Sequence, residues 1–357
     1  MAAAKNDIVV EPGLPLYGAR WLTNETFVSG GGGGLSKTGI PNALMVHRVA
    51  EGKAEEETRV LMENAVSGVA VSPSGKLVAV GVGERCHLVS ASTLKSAAGA
   101  PAAGVVTDEH KEDAGQRLVR FGGRGTRLLT GGNDGVLRVW SVPAMERVAK
   151  LVGHEAGEAI IDADLNRDEE LAVSVSWDAK LKVWDAATGD ALLTIDAPVK
   201  GATWRGCAFS GHSSRVVYTI RCQAKRPTTA TRWVLGGEKT ALTATRFERD
   251  IYAKPLVTMT VSPDGTYLAA GTGDGFAVVV EATTLQPLRV FNPHGFFISA
   301  MSFSPDERRL LTASGDRTVR VVDTPEPQSA VGTLAFLAAL LVALAAVFVA
   351  LLEARSA

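Results

Sequence analysis

A turn signal that recurs about every 44 residues is the feature that most constrains this chain. Residues 71–75, 261–265 and 303–306 each carry Ser-Pro followed by Ser or Asp, and each leads into a β-rich run. Proline presets φ for a turn and glycine supplies positive φ, so the signal has a local cause. The residues that precede the equivalent turns follow one another in steps of 42 to 52 residues: Val71, Phe121, Leu165, Phe209, Val261 and Phe303. Units of this length are typical of four-stranded blades.

A seventh unit, less regular than the others, lies at the start of the chain. Trp21 precedes Val71 by 50 residues, which fits the longer steps of the series. The longer steps coincide with two expected inserts, 96–116 and 223–239. The strands predicted for the first unit are residues 19–22, 26–29 and 43–49. Seven units can close into a ring that leaves no free sheet edge.

The last unit lacks a fourth strand of its own. Residues 318–322 complete its third strand, so we expect a strand within residues 7–17 to supply the fourth and close the ring. The sequence therefore predicts an all-β, seven-bladed β-propeller over residues 1–324.

The repeats resemble the WD40 family, although the motif is degenerate. Trp184-Asp185 is the signature dipeptide, and Gly153-His154 is the Gly-His pair. In that family such residues form a structural hydrogen-bond network, so the resemblance implies that His154 and Asp178 stabilise a blade. A Ser-His-Asp hydrolase built from Ser176, His154 and Asp178 is the alternative, but no nucleophile elbow accompanies it.

Composition excludes several classes of function. The chain has 357 residues, 37 basic and 38 acidic, and a formal net charge of −1. No global field favours nucleic acid, and we predict no nucleic-acid partner. The three cysteines, Cys86, Cys207 and Cys222, have no metal-type spacing. We expect them to be reduced and buried.

The C-terminal segment is typical of a membrane span. Residues 331–352 contain no charged side chain, and 22 residues in a helix extend about 33 Å, close to the thickness of a hydrocarbon core. We predict a transmembrane helix there, after a linker at 325–330 and before a lumenal tail at 353–357. Residues 1–7 contain no signal-peptide core, so the propeller is expected to face the cytosol. The modest hydrophobicity of residues 331–352 suits the thin bilayer of the endoplasmic reticulum.

The first unit departs from the repeat at one place. Its second and third strands are joined by residues 30–42, with five consecutive glycines, whereas residues 132–135 make the equivalent turn of the third unit. Three interpretations are open: a flexible insertion, a phosphate cradle around Lys37-Thr38, or a cage of backbone carbonyls around an ion such as K⁺. In the third, Pro41 stiffens the exit, and Ile40 and Asn42 stand out as an apolar and a polar probe.

This region resembles the Sec-twelve/PREB family, membrane-anchored propellers that act as guanine-nucleotide exchange factors for the Sar-type GTPase of COPII coats. The matching residues are 17–22, 24–26, 30–34, 39–42 and Leu44. In architecture the resemblance covers the whole chain, whereas in sequence it is specific over about residues 17–49.

The resemblance implies roles for the loop. The family's expanded loop binds potassium and inserts at the GTPase, and an asparagine after Ile-Pro is important for exchange. The residues implied to contact the GTPase are Asn42, Ile40, Pro41 and Gly39. Those implied to surround K⁺ are Gly31, Gly32, Gly33, Gly34 and Asn42. The middle of the loop, 35–38, departs from the family's Gly/Asn-rich composition.

The function expected from this resemblance is exchange rather than bond chemistry. The chain would promote GDP release and GTP loading of a Sar-type small GTPase at the endoplasmic reticulum, with a lipid bilayer as its second partner. It is not expected to be an enzyme in the sense of bond chemistry. The alternative is a membrane-anchored WD40 scaffold that assists cargo export without exchanging nucleotide.

Overall fold

The computed structural model describes residues 7–36, 39–110 and 112–326. The chain divides into two compact units, Met1–Thr324 and Pro325–Ala357. The predicted membrane helix at 331–352 lies outside the described residues. Within the described ranges, none of the helices has the length and apolar character needed to span a bilayer.

Twenty-eight strands and one short 3₁₀ helix make up the described part of the first unit. The strands of its N-terminal third are β1 (Ile8–Val10), β2 (Leu16–Trp21), β3 (Thr26–Gly31), β4 (Ala43–Ala50), β5 (Lys53–Leu61), β6 (Val66–Val71), β7 (Leu77–Val82), β8 (Arg85–Ser90) and β9 (Val105–Val106). The next are β10 (Gln116–Phe121), β11 (Arg127–Gly132), β12 (Leu137–Ser141), β13 (Arg147–Leu151), β14 (Ile160–Leu165), β15 (Leu171–Ser176), β16 (Lys180–Asp185), β17 (Ala191–Asp196), β18 (Ala202–Ser210), β19 (Ser213–Gln223) and β20 (Thr228–Gly236). After the 3₁₀ helix (Lys239–Ala241) come β21 (Thr243–Tyr252), β22 (Leu256–Val261), β23 (Tyr267–Thr272), β24 (Ala277–Glu281), β25 (Pro287–Phe291), β26 (Ile298–Phe303), β27 (Arg309–Ser314) and β28 (Val319–Asp323).

These strands form seven antiparallel four-stranded sheets, and the predicted seven-bladed propeller is confirmed. The first blade is β2-β3-β4-β5, and five blades follow it in chain order. The last blade is β26-β27-β28 completed by β1, whose residues Ile8 to Val10 pair with Val321 to Val319. The expected closing strand is therefore confirmed as well.

The innermost strands of neighbouring blades contact one another all round the ring, including β26 against β2. Several hydrogen bonds join these two strands across more than 280 residues of sequence. Among them, Arg20 Nη1 donates to the Met301 carbonyl at 2.7 Å and Trp21 Nε1 to the Ser302 carbonyl at 3.1 Å. Ring closure thus depends on contacts between the two ends of the propeller.

The core lies between the blades rather than in one centre. One cluster combines Leu129 of the third blade with Ala163 and the fully buried Trp184 of the fourth. Another combines Phe27 of the first blade with Leu311 of the last. Because each blade buries its faces against two neighbours, the ring forms one cooperative unit.

One of the two expected inserts needs correction. The fifth blade has no insert at 223–239, because residues Thr228–Gly236 form strand β20 and the four strands of this blade are 9 to 11 residues long. The 96–116 segment does depart from the repeat, since the fourth strand of the second blade is only Val105–Val106.

One end of the ring carries the turns between the second and third strands of each blade and the connections from one blade to the next. We call this end the loop face. Its largest turn is the β3–β4 connection of the first blade, and the mouth of the central channel opens beside it, lined by Tyr17, Ser67, Arg117 and Phe297.

Candidate functional site: the β3–β4 connection and the loop face

The consecutive glycines divide between strand β3 and the connection that follows it. Gly30 and Gly31 belong to β3 and pair with β4. A Cβ on Gly31 would lie 1.9 Å from the carbonyl oxygen of Pro15, so the neighbouring segment leaves no room for a side chain. The connection therefore runs from Gly32 to Asn42, and the predicted start at Gly30 is wrong by two residues.

Asn42 closes this connection across its base. The Gly34 amide donates to Asn42 Oδ1 at 2.8 Å, and Asn42 Nδ2 donates to the Gly34 carbonyl at 3.2 Å. Gly32, with φ of 142°, approaches so closely that a Cβ there would lie 2.2 Å from Asn42 Oδ1. The expectation that Asn42 stands out as a polar probe is therefore wrong, because its half-buried amide bonds Gly34 across the loop.

Ile40 turns inward. It is half-buried and packs against the hydrophobic cluster shared by the first and last blades, which includes Phe27 and Leu311. The prediction of Ile40 as an outward apolar probe is wrong, because burial against this cluster removes its side chain from water. Gly39 and Pro41 on either side of it are exposed.

Leu35 is an apolar residue of the connection that is 80% exposed. It borders a shallow cavity of about 350 Å³ together with Glu63 and Asn64 of the β5–β6 connection and Arg85 of the second blade. Ser36 Oγ donates to the Gly33 carbonyl and tightens the turn behind it. Residues 37 and 38 lie outside the described residues, and the segment leads into strand β4 rather than the helix that a phosphate-binding loop precedes.

Two aromatic groups lie elsewhere on the loop face. Trp177, in the β15–β16 turn, is 43% exposed, and the Arg205 guanidinium lies 4.6 Å from the centre of its ring. Phe296, in the β25–β26 connection, is 55% exposed and meets Phe297 edge-on at 4.8 Å between ring centroids. Trp and Arg are among the side chains that most often carry binding energy at protein interfaces, and Phe is enriched in interface cores. Neither Trp177 nor Phe296 was singled out as a binding residue from the sequence.

His154 and Asp178 form the structural network that the WD40 resemblance implies. His154 Nδ1 lies 2.8 Å from Asp178 Oδ2, and His154 Nε2 lies 2.8 Å from Ser174 Oγ. Trp184 Nε1 donates to the same Ser174 oxygen at 2.8 Å. Burial lowers the pKa of His154 although Asp178 opposes this effect. The neutral imidazole is thus one link of a buried chain of hydrogen bonds.

The geometry excludes the alternative hydrolase. Ser176 Oγ donates to the carbonyl oxygens of Glu158 and Ala159, not to His154. The last blade repeats the structural network around His294, which bonds Thr312 and Asp316 at 2.9 and 3.0 Å. Sequence reasoning missed His294 because Pro293 replaces the glycine of the expected Gly-His pair.

Comparisons with known proteins agree with this architecture. Residues 110–141, 145–185 and 285–323 match the family described as WD domain, G-beta repeat. The chain is 27% identical over 362 residues to the mouse protein named "Guanine nucleotide-exchange factor SEC12", which covers 82% of each chain. The rat protein of the same name is 27% identical over 361 residues, with the same coverage.

The chain is therefore similar to Sec-twelve-like WD40 proteins over most of its length. An Arabidopsis thaliana relative, "SEC12-like protein 2", is 28% identical over 217 residues, which is 58% of this chain and 52% of that protein. The match to the mouse and rat proteins extends beyond the repeats that the WD family detects, so it covers most of the propeller.

The oxygen atoms in the first-blade loop of this propeller fit a potassium ion in chemical type. The carbonyls of Gly33 and Gly34 and the side-chain oxygen of Asn42 are neutral, and each accepts one hydrogen bond within the loop. Neutral oxygens are the groups that replace the hydration shell of K⁺. Gly31 fits less well, because it belongs to strand β3. Among the described residues there is no cluster of His, Cys, Asp and Glu that could hold a metal.

Proposed function

We propose that this chain is a guanine-nucleotide exchange factor that promotes GDP release and GTP loading of a Sar-type small GTPase. The observation that carries the proposal is the match over 82% of both chains to mouse and rat proteins named as exchange factors. The hydrogen bonds across the base of the first-blade connection support it, because they hold Gly34 against Asn42 before any partner binds.

The energetic requirement for exchange is preferential binding of the nucleotide-free GTPase. By linkage, the factor by which the propeller prefers that state is the factor by which it weakens nucleotide binding. Each preference of about 1.4 kcal/mol weakens nucleotide binding about tenfold. The switch segments of a GTPase are ordered by phosphate and Mg²⁺, so they are the natural target of a rigid protruding loop.

In this proposal the inward contacts of the loop give it stiffness and the outward ones touch the partner. Asn42 locks Gly34, and Ile40 anchors the far side of the loop in the core of the ring. Leu35 presents apolar surface to the GTPase, and the exposed Gly39 and Pro41 line the same connection. In this proposal Ile40 and Asn42 position the loop, and direct contact of either with the GTPase stays a prediction from the sequence.

The remaining loop face supplies affinity. Trp177 with Arg205, and Phe296 with Phe297, offer two separate aromatic anchors beyond the loop. Anchors of this kind hold a partner by burying large rigid side chains, whereas the loop acts on its nucleotide site.

Potassium belongs to the proposal as a structural ion. The carbonyls of Gly33 and Gly34 and the Oδ1 atom of Asn42 would hold it, beside the place where the backbone of Gly32 passes close to Asn42. When bound, the ion supplies positive charge that balances converging oxygen dipoles and so stiffens the loop.

We further propose that the protein works at the endoplasmic reticulum membrane, where activation of the GTPase starts COPII coat assembly. The predicted helix at 331–352 would hold the propeller on the cytosolic side. Full-length chain should then remain in the membrane pellet after alkaline carbonate washing, and release into the supernatant would contradict the anchor.

The exchange activity itself is tested with full-length chain in nonionic detergent. A Sar-type GTPase is loaded with a fluorescent GDP analogue, and release is followed after addition of excess GTP. We expect catalytic amounts of the chain to accelerate release at least about tenfold, while a Ras-type GTPase is unaffected. Tight binding of the GTPase without acceleration would favour the scaffold alternative and refute exchange.

A further inference from the structure

The central channel of the propeller contains a cavity of about 520 Å³ that opens on the loop face. The cavity is lined by residues of the innermost strands of all seven blades and by residues that directly precede these strands. A cavity of this size falls in the range of small-molecule binding sites. The wall is also unusual in its charge, because its ionisable side chains are mostly arginines.

Four arginines line this cavity, Arg20, Arg117, Arg120 and Arg205, against the single carboxylate of Asp162. Asp162 is already engaged, since its Oδ1 atom accepts from Arg120 at 3.0 Å. The channel therefore holds an excess of positive charge, although the chain as a whole is almost neutral.

Two of these arginines have hydrogen-bonding capacity to spare. Arg205 forms no ion pair with any described carboxylate, and its Nε atom is buried without a hydrogen-bond partner among the described residues. Its guanidinium stacks on Trp177, which leaves the N–H groups at its edge available. Arg117 is exposed at the channel mouth and donates through Nε to Asn133.

The deeper part of the channel carries charge that is poorly compensated. Among the described residues, the hydrogen-bond acceptors of the Arg20 side chain are the backbone carbonyls of Ala19 and Met301. Burial lowers its pKa to about 9, and repulsion by Arg120 contributes to this, while Asp162 and Asp164 act in the opposite direction. A guanidinium whose charge is disfavoured by its surroundings gains most from an incoming anion.

From this arrangement we propose that the channel mouth binds a small, multiply charged phosphate compound, with Arg117 and Arg205 as its first ligands. Arginine presents N–H donors in a planar fork that matches phosphate oxygens, and the enclosed wall weakens competition from water. Phosphate groups fit better than a single carboxylate, because one molecule can then reach arginines contributed by separate blades. The inference stands on the channel alone and does not depend on the exchange function.

The test uses full-length chain in nonionic detergent with sodium tripolyphosphate as the probe. Binding is measured by isothermal titration calorimetry, and the melting temperature is recorded with tripolyphosphate and with sulfate at the same ionic strength. We expect saturable binding of one tripolyphosphate, and a melting temperature that rises with tripolyphosphate and not with sulfate.

The variants Arg205→Gln and Arg117→Gln should each weaken tripolyphosphate binding about tenfold, the effect of losing one charge-assisted contact. Arg226→Gln is the matched control, because Arg226 is an exposed arginine of the β19–β20 turn on the loop face but outside the channel lining. It should bind within about twofold of the unmodified chain. Circular dichroism establishes that each variant is folded.

Three results would overturn the proposal. The first is absence of saturable binding by the unmodified chain. The second is an equal loss of tripolyphosphate affinity in Arg226→Gln and Arg205→Gln, which would mean that the positive charge of the protein attracts the anion without a specific binding site. The third is binding of a pentaglutamate peptide in place of tripolyphosphate, which would assign the channel to an acidic segment of a protein.

Discussion

Replacing Asn42 with alanine removes both hydrogen bonds that close the β3–β4 connection. They join the side-chain amide to Gly34 at 2.8 and 3.2 Å, and both are partly shielded from solvent. A hydrogen bond of this kind contributes about 0.5–1.5 kcal/mol net, so the ordered loop loses about 1–3 kcal/mol. If exchange requires the ordered loop, its efficiency falls about 5- to 150-fold.

The propeller itself should tolerate the same substitution. Asn42 lies outside the strand ladder, and its backbone carbonyl still accepts from the Met62 amide at 2.9 Å. We expect the free energy of unfolding to fall by no more than the about 1–3 kcal/mol that the loop loses, so the propeller stays folded. A loss of exchange activity in a folded variant can then be assigned to the loop.

The assay combines two readouts on the same preparations. Release of a fluorescent GDP analogue from a Sar-type GTPase gives the exchange efficiency, and hydrogen–deuterium exchange of residues 32–42 reports how well the loop is ordered. Asn24→Ala is the matched control, since Asn24 Oδ1 accepts from the Asp306 amide at 3.0 Å on the opposite face of the same blade. That variant should exchange nucleotide at the unmodified rate.

Two results would refute the reasoning. Unchanged nucleotide exchange by Asn42→Ala would mean that the loop need not be held by this amide. Slow nucleotide exchange with unchanged hydrogen–deuterium exchange of residues 32–42 would mean that Asn42 acts directly on the GTPase and not through the loop.

Three further predictions concern the loop face, the potassium ion and the buried hydrogen-bond network around Ser174. Trp177→Ala should raise the propeller concentration needed for half-maximal exchange at least about tenfold, because an exposed aromatic anchor is lost. The control Phe247→Ala alters an equally exposed ring on an outer strand, and a matching increase there would contradict the assignment. Replacing K⁺ with Na⁺ at constant ionic strength should slow exchange about fivefold or more, as loss of a coupled ligand does; equal rates in the two salts would exclude the ion. Ser174→Ala should lower the free energy of unfolding by about 2–3 kcal/mol, because the ring nitrogens of His154 and Trp184 lose their shared partner. Urea denaturation measures this loss, and an unchanged midpoint would contradict the network's role.

Local patterns were sufficient for the architecture. The Ser-Pro turns and the repeat length predicted seven blades, and the missing fourth strand of the last blade predicted that the N-terminal segment closes the ring. These features can be predicted from the sequence because turns and alternating strands depend on neighbouring residues. The family resemblance likewise identified His154 and Asp178 as structural.

The directions of the loop side chains were not predictable in the same way. Ile40 was expected to point outward, but the cluster that receives it combines residues from the first and last blades, and these meet only when the ring closes. Asn42 was expected to face a partner, yet it bonds Gly34, because the close passage of Gly32 brings the two ends of the loop together.

The sequence by itself therefore determined the number of blades, the unit that closes them and the position of the exceptional loop. Only the tertiary structure decided what the loop presents to solvent and which charges face the channel. Arg20, Arg117 and Arg205 belong to three blades, and nothing in their local sequence marks them as neighbours. The physical reason is that a turn depends on a few adjacent residues, whereas a shared cavity depends on contacts across the whole ring.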